Sequence, residues 1–234
     1  ASLMLVAVSL TVGAQDTTVT TAFTENQPNT LDPHAARQAD DFLVLRNICE
    51  GLIAYDPVTL EPVPGLAESW EISDDTLTYT FTLREGVTFH DGSRLDAADV
   101  KYSLDRLVDP NFGTSYTSSY ILGSVDGWGD ARGEGATATE IAGVTVIDER
   151  TVEIELVSPV ASYLNRLTLP GAFIIAEGSA PEEGAITDPV CTGAYELREF
   201  IQQDRVVLDA YNDYWGGAPD VQEVIIRVIP EQSV

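Results

Sequence analysis

Residues 68–100 read ESWEISDDTLTYTFTLREGVTFHDGSRLDAADV. Leu77, Tyr79, Phe81 and Leu83 alternate with threonines, and a period of two gives a strand one buried face and one polar face. Ser73-Asp74-Asp75 makes the turn, so 68–89 predicts a β-hairpin. His90-Asp91-Gly92 ends the second strand, with Gly92 in the turn. Asp96 then stands where an N-cap belongs, with Asp99 three residues on, the pattern of a capping box. Both carboxylates favour a helix N-terminus. A helix is expected over 96–108, with Val100, Leu104, Leu107 and Val108 on one side.

Three of these polar residues thus have structural tasks, and His90 has none. With Asp91 it is a candidate for acid–base chemistry, which would make the protein a secreted hydrolase; a glycosidase pair among the abundant carboxylates, whose adjacency chance explains in so acidic a chain, is the other. A lone histidine beside an aspartate lacks the positioned nucleophile that a triad needs. Other catalytic signatures are absent from the sequence. It contains no H-x-x-x-H pair, no phosphate-cradling Gly-Lys loop, no G-x-S-x-G elbow and no C-x-x-C pair. With His34 and His90 the only histidines, no histidine-rich metal site and no cofactor are expected.

The chain has 234 residues and a formal net charge of −26, with Lys101 its only lysine. Such a surface repels nucleic acid and anionic lipid, and no Lys/Arg run offsets it. The apolar run Leu3 to Leu10 is too short to span a bilayer. Followed by Val12-Gly13-Ala14, it is expected to be the remnant of a signal peptide, residues 1–14, cleaved near Ala14–Gln15. An apolar N-terminal strand is the alternative. Export would place Cys49 and Cys191 in an oxidising compartment, where two cysteines can pair; two buried free thiols are the other reading.

Elsewhere Val19 to Phe23 predicts a strand, followed by the loop ENQPNTLDPH. A helix begins at Asp40-Asp41, with Phe42, Leu45, Cys49, Leu52 and Ile53 at helical spacing. Pro57, Pro62 and Pro64 keep the next stretch extended. Gly123 to Gly143 holds six glycines and reads as an exposed, mobile loop. Further hairpins are expected in VTVIDERTVEIELVSP and AYELREFIQQDRVVLDA, a short helix from Val160 to Leu167, and a last strand in VQEVIIRVIP.

Several segments, in order, carry a resemblance: TLDPHAA; NICEGLIAYDPVTLEPVPGLAESW running on through the opening stretch to KYSLDRLVDP; DPVCTGAYEL; DRVVLDAYNDYWGGAPD; and VIIRVIP. In that order and spacing the chain resembles the family 5 extracellular solute-binding proteins, the peptide- and nickel-binding components of ABC importers. The resemblance implies an α/β, periplasmic-binding-protein-like fold of two lobes, the large class with an extra subdomain, here truncated before the second lobe. Residues 15–49 and 177–234 would form the first lobe and 50–176 the extra subdomain.

It further implies a monomer, periplasmic or extracellular, that captures a small-molecule ligand, most simply a short peptide, and delivers it to a membrane permease without catalysis. A sensor feeding a membrane receptor is the related alternative. Arg37, Gln38 and Ala39 follow the LDPH motif and would line the ligand cleft, with Arg37 able to pair with a ligand carboxylate. Tyr116, after DPNFGTS, matches a cleft aromatic of peptide-binding members. The family usually has a small residue at the position of Cys191 and no cysteine at that of Cys49. Both unusual cysteines would fall in one lobe, which favours a bridge.

Overall fold

The structure, a computed structural model, describes residues 17–23, 27–110, 116–132, 138–182 and 184–229. The expected signal remnant, 1–14, lies outside the described residues. The opening stretch folds as its pattern requires, except that the second strand of its hairpin ends at Leu83, not at His90; Thr88 makes only an isolated bridge to Arg94. Strands β4 (Ala67–Ile72) and β5 (Thr78–Leu83) pair antiparallel. Tyr79, Phe81 and Leu83 are buried, while the threonines between them are half-buried. Helix α2 (Ala97–Arg106) starts at a true capping box. Asp96 accepts from the Ala98 N–H at 2.7 Å, and its own N–H donates to Asp99 at 2.8 Å.

The second hairpin, β6 (Val144–Asp148) and β7 (Thr151–Glu155), completes an antiparallel sheet of order β4-β5-β7-β6. Here Tyr79 faces Ile154 and Phe81 faces Val152. Helix α2 lies against β6 and β7. A further sheet has the order β1-β10-β9-β8, from β1 (Thr18–Phe23), β8 (Tyr195–Ile201), β9 (Arg205–Ala210) and β10 (Glu223–Val228). Its outer pair, β1 with β10, is parallel. Helix α1 (Ala39–Ile48) packs beside β8.

Each sheet has its own core. Phe81, Phe89, Leu104 and Tyr163 belong to one, and Leu45, Ile48, Val206 and Leu208 to the other. The segment 172–176 is their common wall. Ala172, Ile174 and Ala176 turn into the first core, Phe173 and Ile175 into the second. This is the alternation of an extended chain buried on both faces.

Three expectations need correction. The helix from Asp40 does not reach Ile53: it ends at Ile48, and Cys49 is already extended. The Gly65 N–H bonds the Leu52 carbonyl and the Leu66 N–H that of Gly51, drawing Leu52 and Ile53 toward the small hairpin of β2 (Ile53–Tyr55) and β3 (Pro62–Pro64). The segment 123–143 is not an exposed loop where it is described. Val125, Ala131 and Ile141 are buried, helix α4 (Trp128–Arg132) forms within it, and Val125 bridges to Leu156. Gly143 is there for contact: a Cβ on it would lie 2.8 Å from the Glu155 carbonyl oxygen. The helix expected from Val160 is a single turn, α5 (Tyr163–Arg166). Helix α3 (Tyr116–Leu122) was not expected at all.

Candidate ligand-binding face

The loop before α1 is built around two buried carboxylates. Asp41, 1% exposed, gathers four backbone N–H groups. They come from Asn29 at 2.7 Å, Thr30 at 3.3 Å, and Arg37 and Gln38 each at 3.1 Å. An anion at the first turn of a helix suits the helix dipole, and here it also closes the loop upon itself.

Asp32 is wholly buried and takes a two-pronged bond from Arg106 of α2, at 2.9 and 2.7 Å. Its oxygens also accept from the His34 and Ile186 N–H groups, both at 3.0 Å. His34 donates from Nε2 to the Phe173 carbonyl at 2.9 Å, which leaves Nδ1 to accept from Arg106 at 3.0 Å. Burial, then the adjacent guanidinium, push the imidazole down to about 4, so it is neutral near pH 7. Burial alone would raise the Asp32 carboxyl; the hydrogen bond and charge of Arg106, with His34 and the Ile186 N–H, hold it below its ordinary value instead. The LDPH loop is thereby fastened to the neighbouring core.

Between these anchors, Arg37, Gln38 and Ala39 are exposed, with the backbones of Arg37 and Gln38 held and their side chains outward. Arg37 borders a hollow of about 350 Å³, lined also by Ala36, Phe42, Thr117, Tyr120, Leu169 and Gly171.

 Gln38 and Ala39 do not line it. Tyr116 opens α3 one residue before Thr117; its side chain lies outside what is described.

The other end of α1 is held by Cys49 and Cys191, whose sulfurs are bonded at 2.03 Å. Gly193 closes on the helix end, its N–H donating to the Ile48 carbonyl at 2.7 Å; a Cβ there would meet that oxygen at 2.4 Å. His90 has a task after all. Its backbone N–H donates to the Cys191 carbonyl at 2.8 Å and its Nε2 to the Gly193 carbonyl at 3.0 Å, and the ring stands edge-on to Tyr211. Asp91 accepts from the Ser93 N–H and hydroxyl, at 2.9 and 2.6 Å. These are the bonds of a strut and a turn.

Glu50 was not singled out from the sequence. Its carboxylate accepts from Tyr214 at 2.8 Å, Trp215 at 2.9 Å and Thr192 at 3.0 Å. Burial raises its pKa despite those donors. No spacing links Glu50 to partners more than a hundred residues away; the adjacent Cys49, Tyr214 and Trp215 were visible only as separate features. Among the described residues no group of three or more His, Cys, Asp or Glu could hold a metal ion, and no helix is long and apolar enough to cross a membrane.

Solved structures share this fold. The murein tripeptide binding protein MppA of Escherichia coli superposes with a TM-score of 0.83 at 29% identity, over 94% of this chain and 43% of its own. The fold is thus that of part of a periplasmic binding protein. The periplasmic oligopeptide-binding protein OppA of Salmonella typhimurium is 33% identical over 84% of this chain and 36% of its own length. The dipeptide-binding protein DppE of Bacillus subtilis is 32% identical over 82% and 35%. The chain therefore spans about a third of the length of the curated relatives it matches. Residues 61–234 match the family of bacterial extracellular solute-binding proteins, family 5 (middle), and the chain belongs to that family.

Proposed function

We propose that the whole protein captures a small solute, in the first place a short peptide, outside the cytoplasm and delivers it to the permease of an ABC importer. It acts as a monomer and without catalysis. Residues 15–49 and 177–234 are its first lobe, 50–176 its extra subdomain. The observation that carries this reading is the exposed segment Arg37–Ala39, its backbone clamped by Asp41 and its first member beside an open hollow. The relatives named above are, by name, binders of oligopeptide, dipeptide and murein tripeptide, which favours peptide over other solutes. A ligand bridging this face and a facing lobe would shift the population toward the closed form, because it binds that form better.

The test is a thermal-shift screen of the whole mature protein, unfolded and refolded to strip bound ligand, against di- and tripeptides, oligosaccharides and nickel salts. A ligand at a hundred times its Kd adds about 2.7 kcal/mol to stability. A shift with peptides, recovered intact, is the expected result. No shift with any peptide, or hydrolysis of the peptides, would overturn the proposal.

A further inference from the structure

In a chain of 38 acidic and 12 basic residues, free positive charge is scarce. Most of it is committed. Lys101, Arg106, Arg150, Arg198 and Arg205 pair with carboxylates. Arg46, Arg84 and Arg166 lie over aromatic rings, and Arg132 donates to the Leu107 carbonyl. Among the described residues, only Arg37, Arg94 and Arg227 have side chains without such a partner. Arg94 borders a hollow shared with Asp91, Asp96, Asp99 and Glu177, so counter-charge already surrounds it. Arg227 is exposed on a strand. Arg37 alone stands beside a hollow to which no acid contributes.

The hollow's walls are mainly apolar, formed by Phe42, Leu169 and the ring of Tyr120, and the same ring carries Arg166 at 5.1 Å. An anion entering here meets the Arg37 guanidinium and no carboxylate from the lining. The backbone beneath Arg37 is fixed by Asp41, so only the side chain has to be ordered when it engages. We infer that Arg37 is a specificity-determining residue that receives a carboxylate of the ligand, with an apolar portion of the same ligand against Phe42 and Tyr120. This deepens the solute-binding reading and rests on it. The carboxylate can come from a peptide C-terminus or from an acidic side chain, and guanidinium suits either because its paired donors match a carboxylate's two oxygens.

The test uses the whole protein, stripped of ligand, and four pools of random tetrapeptides without Asp, Lys, Arg or His. The pools carry either Glu or Gln, each as free acids or as C-terminal amides. Peptides retained by the unchanged protein, by Arg37→Gln and by Arg37→Lys are counted by mass spectrometry. Because Arg37 is exposed, neither variant threatens folding, and a thermal melt checks this. The unchanged protein should favour one carboxylate-bearing form over its neutral counterpart by about tenfold or more, as charge-assisted hydrogen bonds require. Arg37→Gln should bring that ratio close to one, and Arg37→Lys should keep part of it. The ratio that collapses, Glu over Gln or acid over amide, identifies the source. A preference that survives Arg37→Gln, or no preference in the unchanged protein, overturns the Arg37 contact and leaves peptide binding standing. Retention of no peptide at all overturns both.

Discussion

His34 shows how a single side chain can make a surface loop depend on pH. Its folded pKa, about 4, lies below the ordinary 6.5, so between those values the unfolded chain binds the extra proton and the folded one does not. The stability tied to neutral His34 is therefore complete above about pH 6.5 and is lost as pH falls toward 4. At 1.36 kcal/mol per pH unit the loss is roughly 3 kcal/mol. Asp32, held below its ordinary value, adds a loss of the same sign in acid. Urea unfolding at successive pH values should show this decline, and His34→Gln should flatten it; an unchanged slope in the variant would assign the decline to other groups. Tyr163 makes the opposite case. It is wholly buried and its hydroxyl has no hydrogen-bond partner among the described residues. Tyr163→Phe should be neutral or stabilising by up to about 1 kcal/mol, because it removes a desolvated group without breaking a bond. A loss above that in chemical denaturation would reveal a partner for the hydroxyl. Neither environment was legible in the sequence: Arg106 stands 74 positions from Asp32, and no local pattern joins them.

Among elements, those with local causes were readable. The threonine-spaced strand β5 and the cap of α2 follow from periodicity and from one aspartate each side of a helix start. Asp96→Ala should cost about 1 kcal/mol, because two N–H groups of the first turn lose their acceptor; Asp96→Asn should recover most of it. Equal losses in both variants would mean that charge, not the cap bond, matters. Elements whose ends are set by distant chain were not readable. Helix α1 stops at Ile48 because Gly193 and Cys191 arrive from the far end of the sequence. The glycines of 123–143 looked like looseness, whereas Gly143 marks a close approach of two backbones. On the candidate binding face, Arg37 was legible through its place after LDPH, while the Asp41 clamp and the apolar walls around Arg37 emerge only from the folded chain.

For the whole molecule, two long-range terms oppose each other. The bond between Cys49 and Cys191 closes a loop of 142 positions, and in the chain-entropy account such a link stabilises by about 3–5 kcal/mol. Reduction should lower the melting temperature accordingly, and alkylation of the denatured protein before reduction should find no free thiol, since both cysteines are buried in the native fold; two free thiols would remove this contribution. The net charge of −26 works the other way, through self-repulsion. Raising salt from about 0.1 to about 1 M shortens the screening length from roughly 10 to 3 Å. It should raise the melting temperature, since repulsion among the excess acids outweighs the exposed ion pairs that salt also weakens. A falling melting temperature would reverse that ranking. The pairing of Thr18 with Glu223 reaches further still. During synthesis β1 leaves the ribosome some two hundred residues before its partner strand β10, so it must wait over that interval for this pairing. Its amides should be the last of their sheet to gain protection in pulse-labelled refolding, and throughout that interval the nascent chain keeps an open strand edge, available to a chaperone.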